Sequence, residues 1–85
     1  MVNEELLKIL VCPETRQPVH LADASLVERV NSAIRSGGLK NRAGQVIEEP
    51  AHELLVREDG LIAYPVRDDI PVMLIDEGIP LDQLG

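Results

Sequence analysis

The sequence predicts an α+β domain, and three observations carry that expectation. The stretch "DASLVERVNSAIRSGG" places apolar residues at helical spacing and ends in glycines. Asp59-Gly60 lies between two apolar runs, "ELLVRED" and "LIAYPV", as a tight hairpin turn does. The strand-like segments crowd the C-terminal half and do not alternate with helices, which favours a segregated α+β arrangement.

The 85 residues suit one domain, 1–85. A chain of this length buries only roughly 60–65% of the surface it exposes when unfolded, so the core is modest. It must be aliphatic, because the sequence has one tyrosine and no Phe or Trp.

From the N-terminus, Asn3 is placed to cap a short helix with Glu4 and Glu5 in its first turn. Leu6, Leu7 and Leu10 share one face of that helix, with Ile9 beside them, and Pro13 ends it. "QPVHLA" suits a strand with Val19 and Leu21 on one face. Ser25 and Glu28 have the spacing of a capping box for the next helix. Leu26, Val30, Ala33 and Ile34 line its inner face, and Gly37 is placed for a left-handed exit. "LKNRAGQVI" reads as a hairpin turning at Gly44, and "EEPAH" as a connector in which Pro50 interrupts pairing. "IPVMLI" is a further strand, and "IPLDQLG" either one helical turn or a loose tail.

Charge and composition narrow the function classes. Fifteen acids against eight bases give a net charge of −7, and stacking aromatics are nearly absent, which argues against direct nucleic-acid binding. No segment approaches the roughly 20 apolar residues of a membrane span. The opening "MVNEELLKILVCP" has acids where a signal peptide carries bases, and a single cysteine suits a reducing compartment, so a cytoplasmic protein is expected.

The most chemically suggestive stretch is "VCPETRQPV". Cys-Pro after an apolar run commonly opens a zinc knuckle, but the second cysteine's position is Thr15 and the chain has no other cysteine. Neither an internal disulfide nor a cysteine-based zinc site can form. Cys12 then reads as a small buried apolar residue, with a reactive thiol as the alternative. His20 and His52 match no metal-ligand spacing with it and read as surface residues. Asp68 and Asp69 beside Arg67 read as an acidic turn in which Arg67 pairs locally, rather than an acid–base pair.

The segment "GLIAYPVRDDIPVMLID" resembles the C-terminal signature of the small methyltransferase-activator subunits (Trm-type activators and their bacterial YcaR-like relatives). Tyr64, Pro65, Val66, Asp68, Ile70, Pro71, Met73 and Leu74 follow that pattern, and "LLKILVCPET" resembles the family's opening through Cys12 and Pro13. The family's glycine is Asp69 here, and its other cysteines fall on Thr15 and near Arg57 and Gly60. The resemblance therefore implies a zinc-ribbon-like small antiparallel sheet lacking its metal, with an N-terminal helix and one inserted helix. Residues 1–22 and 51–76 would form the ribbon-like part, 23–50 a helical insertion with a hairpin, and 77–85 a tail. It also implies a non-catalytic subunit that stabilises a methyltransferase, with no cofactor of its own.

Alternation puts Ile70, Val72 and Leu74 on one face and Pro71 and Met73 on the other. A proline inside an apolar strand marks a sheet edge, and such an edge is a natural docking site for a partner strand. The expected partner is a methyltransferase or another protein, bound at Ile70, Pro71, Val72, Met73 and Leu74. A second copy of the chain, giving a homodimer of a purely structural domain, is the alternative. A small thiol enzyme built on Cys12 is the third reading.

Overall fold

A computed structural model describes residues 4–84, and the expected Asn3 cap lies outside them. Helix α1 spans Glu4–Ile9 and leads into a turn closed by a bridge between Val11 and Pro18. Strand β1 is Val19–Leu21, helix α2 is Ala24–Ser36, and β2 and β3 are Glu53–Arg57 and Ile62–Arg67. Two short strands, β4 (Ile70–Pro71) and β5 (Ile79–Pro80), flank a 3₁₀ turn at Ile75–Glu77, and a second such turn, Leu81–Leu84, ends the chain. The architecture is a small α+β fold, as the sequence predicts.

The sheet is antiparallel in the order β1-β2-β3-β4, with β5 also paired to β3. β4 and β5 thus share the outer side of β3. β4 pairs its end at Val66 and Arg67, and β5 its start at Ile62 and Ala63. One face packs under α2: Val30 and Ile34 meet Leu54, Val56, Ala63 and Ile79, with Leu39, Ile47 and Ala51 filling in from the connector. The other face is covered by the N-terminal segment, where Cys12 packs with Val19, Leu55, Ile62, Tyr64 and Val66, and Leu10 and Met73 close its margin. Because both faces are covered, Leu54, Leu55 and Val56 are all buried, and β2 reads as a continuous apolar run.

The start of α2 differs from expectation. Asp23, not Ser25, is the N-cap, and its Oδ1 accepts from the Leu26 amide at 2.8 Å. Beginning there adds two residues to the helix and uses a side chain that caps as well as serine, so the Ser25–Glu28 box has no function. The exit is as expected: Gly37 has φ 82° and its amide returns to Ile34. The hairpin around Gly44 also forms, with Lys40 bridged to Val46.

Asp68 and Asp69 join β3 to β4 as a two-residue turn with φ of 51° and 63°. Positive φ at both positions is the twist-matched hairpin geometry that Gly, Asn and Asp supply. The expected strand from Ile70 through Leu74 is shorter. After Ile70–Pro71 only the Val72 amide bonds back, to Pro65 O at 2.9 Å. Pro65 and Pro71 both lack an N–H, so the ladder loses bonds and fades. The chain then turns tightly at Gly78, where a Cβ would lie 3.0 Å from Ile62 Cγ2 and 3.3 Å from the Tyr64 ring. Only glycine lets β5 approach β3 this closely.

Candidate functional site

The turn after α1 places Cys12 at the centre of a buried polar cluster. Two backbone bonds of 2.8 Å, Arg16 N to Cys12 O and Cys12 N to Gln17 O, close the turn, and Arg16 takes φ 62° within it. Pro13 and Thr15 lie within it, and Thr15 Oγ1 accepts from the Gln17 amide at 3.4 Å. The Cys12 sulfur is fully buried, 2.9 Å from Tyr64 Oη and 3.8 Å from Arg57 Nη1.

Arg57 is the residue that sequence reasoning missed. It ends β2 two positions after Leu55, so alternation turns it toward the same face as Cys12. Its side chain is only 7% exposed. Nε and Nη2 grip Asp59 at 2.8 Å each, and Nη1 lies 3.5 Å from Glu14. Glu14 is in turn held bidentately by Arg42 at 2.6 and 2.7 Å. Asp59 accepts from the Leu61 amide and exchanges bonds with Gln17. The signal in the sequence was a charged residue at an inward position of an otherwise apolar strand.

The electrostatics follow from this packing. Burial is the largest influence on the Cys12 thiol and opposes ionisation. The hydrogen bond with Tyr64, then those from Thr15 and the Glu14 backbone, outweigh it and bring the thiol down to about 6. Burial and the shared bond to sulfur push the Tyr64 phenol above its usual range. The Arg57 guanidinium, then the Leu61 amide, bring Asp59 down to about 2. Arg57 itself is pushed up by Asp59. The cluster is thus a thiol, a phenol and a guanidinium in contact, enclosed between turn and sheet. It ties residues 12–17 to the ends of β2 and β3.

The other expected site residues are scattered. His20 and His52 are exposed, and among the described residues no three His, Cys, Asp or Glu side chains are gathered to hold a metal ion. Asp68 and Asp69 form the turn, but Arg67 turns away from it, its Nε 3.6 Å from the Glu49 carboxylate. The local pairing expected for Arg67 is replaced because the connector runs beside β3. Tyr64 and Pro65 are buried in β3.

The apolar edge from Ile70 to Leu74 divides as the alternation predicts. Ile70 and Leu74 are 65% and 63% exposed, Pro71 and Met73 are half-buried, and Met73 packs beside the Cys12 cluster. Val72 shares their face but is half-buried, and Ile75 follows at 40% exposure. No helix among the described residues is long and apolar enough to cross a membrane.

No family model matches the chain. A UPF0434 protein of Maricaulis maris is 37% identical over 95% of this chain and 86% of its own length. A UPF0434 protein of Burkholderia multivorans is 34% identical over 99% of this chain and 98% of its own. The solution NMR structure of XF2673 from Xylella fastidiosa matches with a TM-score of 0.79 and 33% identity, covering 99% of this chain and 87% of that one. These relatives correct the resemblance to Trm-type methyltransferase-activator subunits: proteins matching nearly end to end carry the UPF0434 name and not that of an activator. The Tyr-Pro-Val and Cys-Pro-Glu-Thr signatures cover a few residues each, whereas these matches span the whole domain. The chain belongs to the UPF0434 family.

Proposed function

We propose that this protein is a non-catalytic binding module that docks on another protein through the apolar edge from Ile70 to Leu74. The observation that carries the reading is the pair of large exposed aliphatic side chains, Ile70 on the short edge strand β4 and Leu74 in the segment that follows it. Ile75 extends the same apolar stretch. Exposed aliphatics gathered at one margin of a small domain favour association.

Side-chain burial dominates this docking over strand addition. The Val72 amide points inward to Pro65, so the outward-facing groups belong to Pro71 and Met73. Pro71 has no N–H to offer, which blunts the edge against main-chain pairing. The non-catalytic character is supported by the enclosure of Cys12. A zinc-ribbon-like origin of the sheet is supported by one feature: the Arg57 guanidinium lies against Cys12 as a fixed cation, where such a ribbon would hold a metal. The single thiol suits the cytoplasm.

The test is affinity capture with tagged protein and with the double variant Ile70→Asp, Leu74→Asp. Both positions are exposed, so the variant should keep its far-UV dichroism. Met73→Asp is a poorer probe, because Met73 packs against the core. Proteins retained by the native chain and lost from the variant support the reading. Retention of nothing, or of the same proteins by both, removes it. A dimer in sedimentation equilibrium that the variant abolishes would assign the edge to self-association instead.

A further inference from the structure

Next to the proposed edge, the 3₁₀ turn at Ile75–Glu77 and the Gly44 hairpin enclose an open depression of about 680 Å³. Its walls are Met73, Leu74, Ile75, Ala43 and Pro13, and its rim carries Asp76 and Glu77. A second depression, about 320 Å³, shares Gln45 and Glu77 with the first and runs on toward Glu48 and Glu49. The two adjoin there as a trough: the Leu74 end carries the apolar wall with Asp76 and Glu77, and the far end carries Glu48, Glu49 and Arg67. Four carboxylates line it, and Arg67 is the cation facing them. Arg67 is already beside Glu49. Asp76, Glu77 and Glu48 have no ion-pair partner among the described residues.

Three unpaired carboxylates beside an apolar wall state what would complement them. An acidic ligand would be repelled by these charges, and a neutral one would gain no electrostatic complementarity from them. A basic one would gain charge-assisted bonds at the rim while burying an apolar side chain against Leu74 and Ile75. The chain's own bases do not fill this role, since Arg42 beside the trough is committed to Glu14.

We infer that this trough seats a basic, amphipathic segment of a partner protein, with an aliphatic side chain against Leu74, Ile75 and Met73 and Lys or Arg side chains on Asp76, Glu77 and Glu48. The inference rests on the binding-module reading and adds the chemistry of the partner.

The test uses a fluorescein-labelled peptide of alternating Leu and Lys blocks, its Leu/Glu counterpart, and anisotropy as the readout. The groove variant is Glu48→Lys with Asp76→Lys, and the control is Glu28→Lys with Glu58→Lys, which changes net charge equally at exposed positions off the trough. The inference expects the Leu/Lys peptide to bind, to weaken about tenfold in the groove variant and little in the control, and to weaken as salt rises. It expects methyl NMR shifts at Met73, Leu74, Ile75 and Ala43. Equal weakening in both variants, equal binding of the Leu/Glu peptide, or shifts elsewhere overturns it. The two readings fail separately. If captured partners depend on Ile70 and Leu74 but are unaffected by Glu48→Lys with Asp76→Lys, the docking edge stands and the basic segment falls. If no captured protein depends on Ile70 and Leu74, the module reading itself falls.

Discussion

Replacing Arg57 by Met tests the buried charge cluster most directly. Met keeps most of the stem's length and apolar contact but removes the guanidinium. That guanidinium makes two bonds of 2.8 Å to Asp59, with Glu14 at 3.5 Å and the Cys12 sulfur at 3.8 Å. Truncating one partner of a fully buried ion pair costs about 3–5 kcal/mol, while an exposed pair is worth about 0–1. This pair lies between those limits. Arg57 is 7% exposed, but Asp59 and Glu14 are 30% and 33% exposed, so water can reclaim their oxygens once the cation is gone. The expected loss is about 2 kcal/mol, or a fall in Tm of roughly 10 °C for a domain of this size. Urea unfolding reads it, with Tyr64 emission as probe, since the chain has one tyrosine and no tryptophan. The Cys12 thiol should also ionise at higher pH, read by thiolate absorbance. A loss below about 0.5 kcal/mol with an unchanged thiol titration would refute the account of Arg57 as the cation that organises the turn.

Three further outcomes are expected. Cys12 has a folded pKa of about 6 against an ordinary 9.0, so the stability it contributes is fully present above pH 9 and lost as pH falls toward 6. Urea midpoints should therefore rise between pH 6 and 9 in the native chain, and Cys12→Ala should flatten that rise. Tyr64→Phe removes the hydroxyl 2.9 Å from the sulfur, costing about 1 kcal/mol in urea unfolding and moving the thiol pKa up from about 6. Asp23→Ala should cost about 1 kcal/mol through the lost cap of α2, whereas Ser25→Ala should leave the unfolding midpoint within error.

Much of the fold was legible because its signals are local. The Val30 and Ile34 stripe, the Gly37 exit, the Asp59-Gly60 turn and the alternation through Ile70–Leu74 each depend on residues a few positions apart. β5 was not legible. Ile79–Pro80 has no strand pattern of its own and pairs only because Gly78 lets it close on Ile62 and Ala63. The cap of α2 went to Asp23 because two competent capping residues lie two positions apart, and burial of Leu26 and Val30 does not distinguish the two starts. The family was misread for a related reason: a signature of eight matched positions carries less information than similarity along the whole chain.

By itself the sequence determined that this is a small aliphatic α+β domain whose single cysteine cannot close an internal disulfide, because composition and local spacing suffice for those conclusions. It also determined which face of α2 turns inward and how the side chains from Ile70 to Leu74 divide into two sets, since periodicity is a property of neighbours along the chain; which of those two sets turns inward came from the tertiary structure. The tertiary structure alone decided that Cys12, Arg57 and Tyr64 meet. They are separated by 45 and 52 positions in sequence, and only the covering of the sheet's second face by the N-terminal turn brings a thiol, a guanidinium and a phenol into one buried cluster. It alone decided as well that the apolar wall of the trough lies beside unpaired carboxylates, because that juxtaposition is made by the Gly44 hairpin and the 3₁₀ turn, which have no periodic signal linking them.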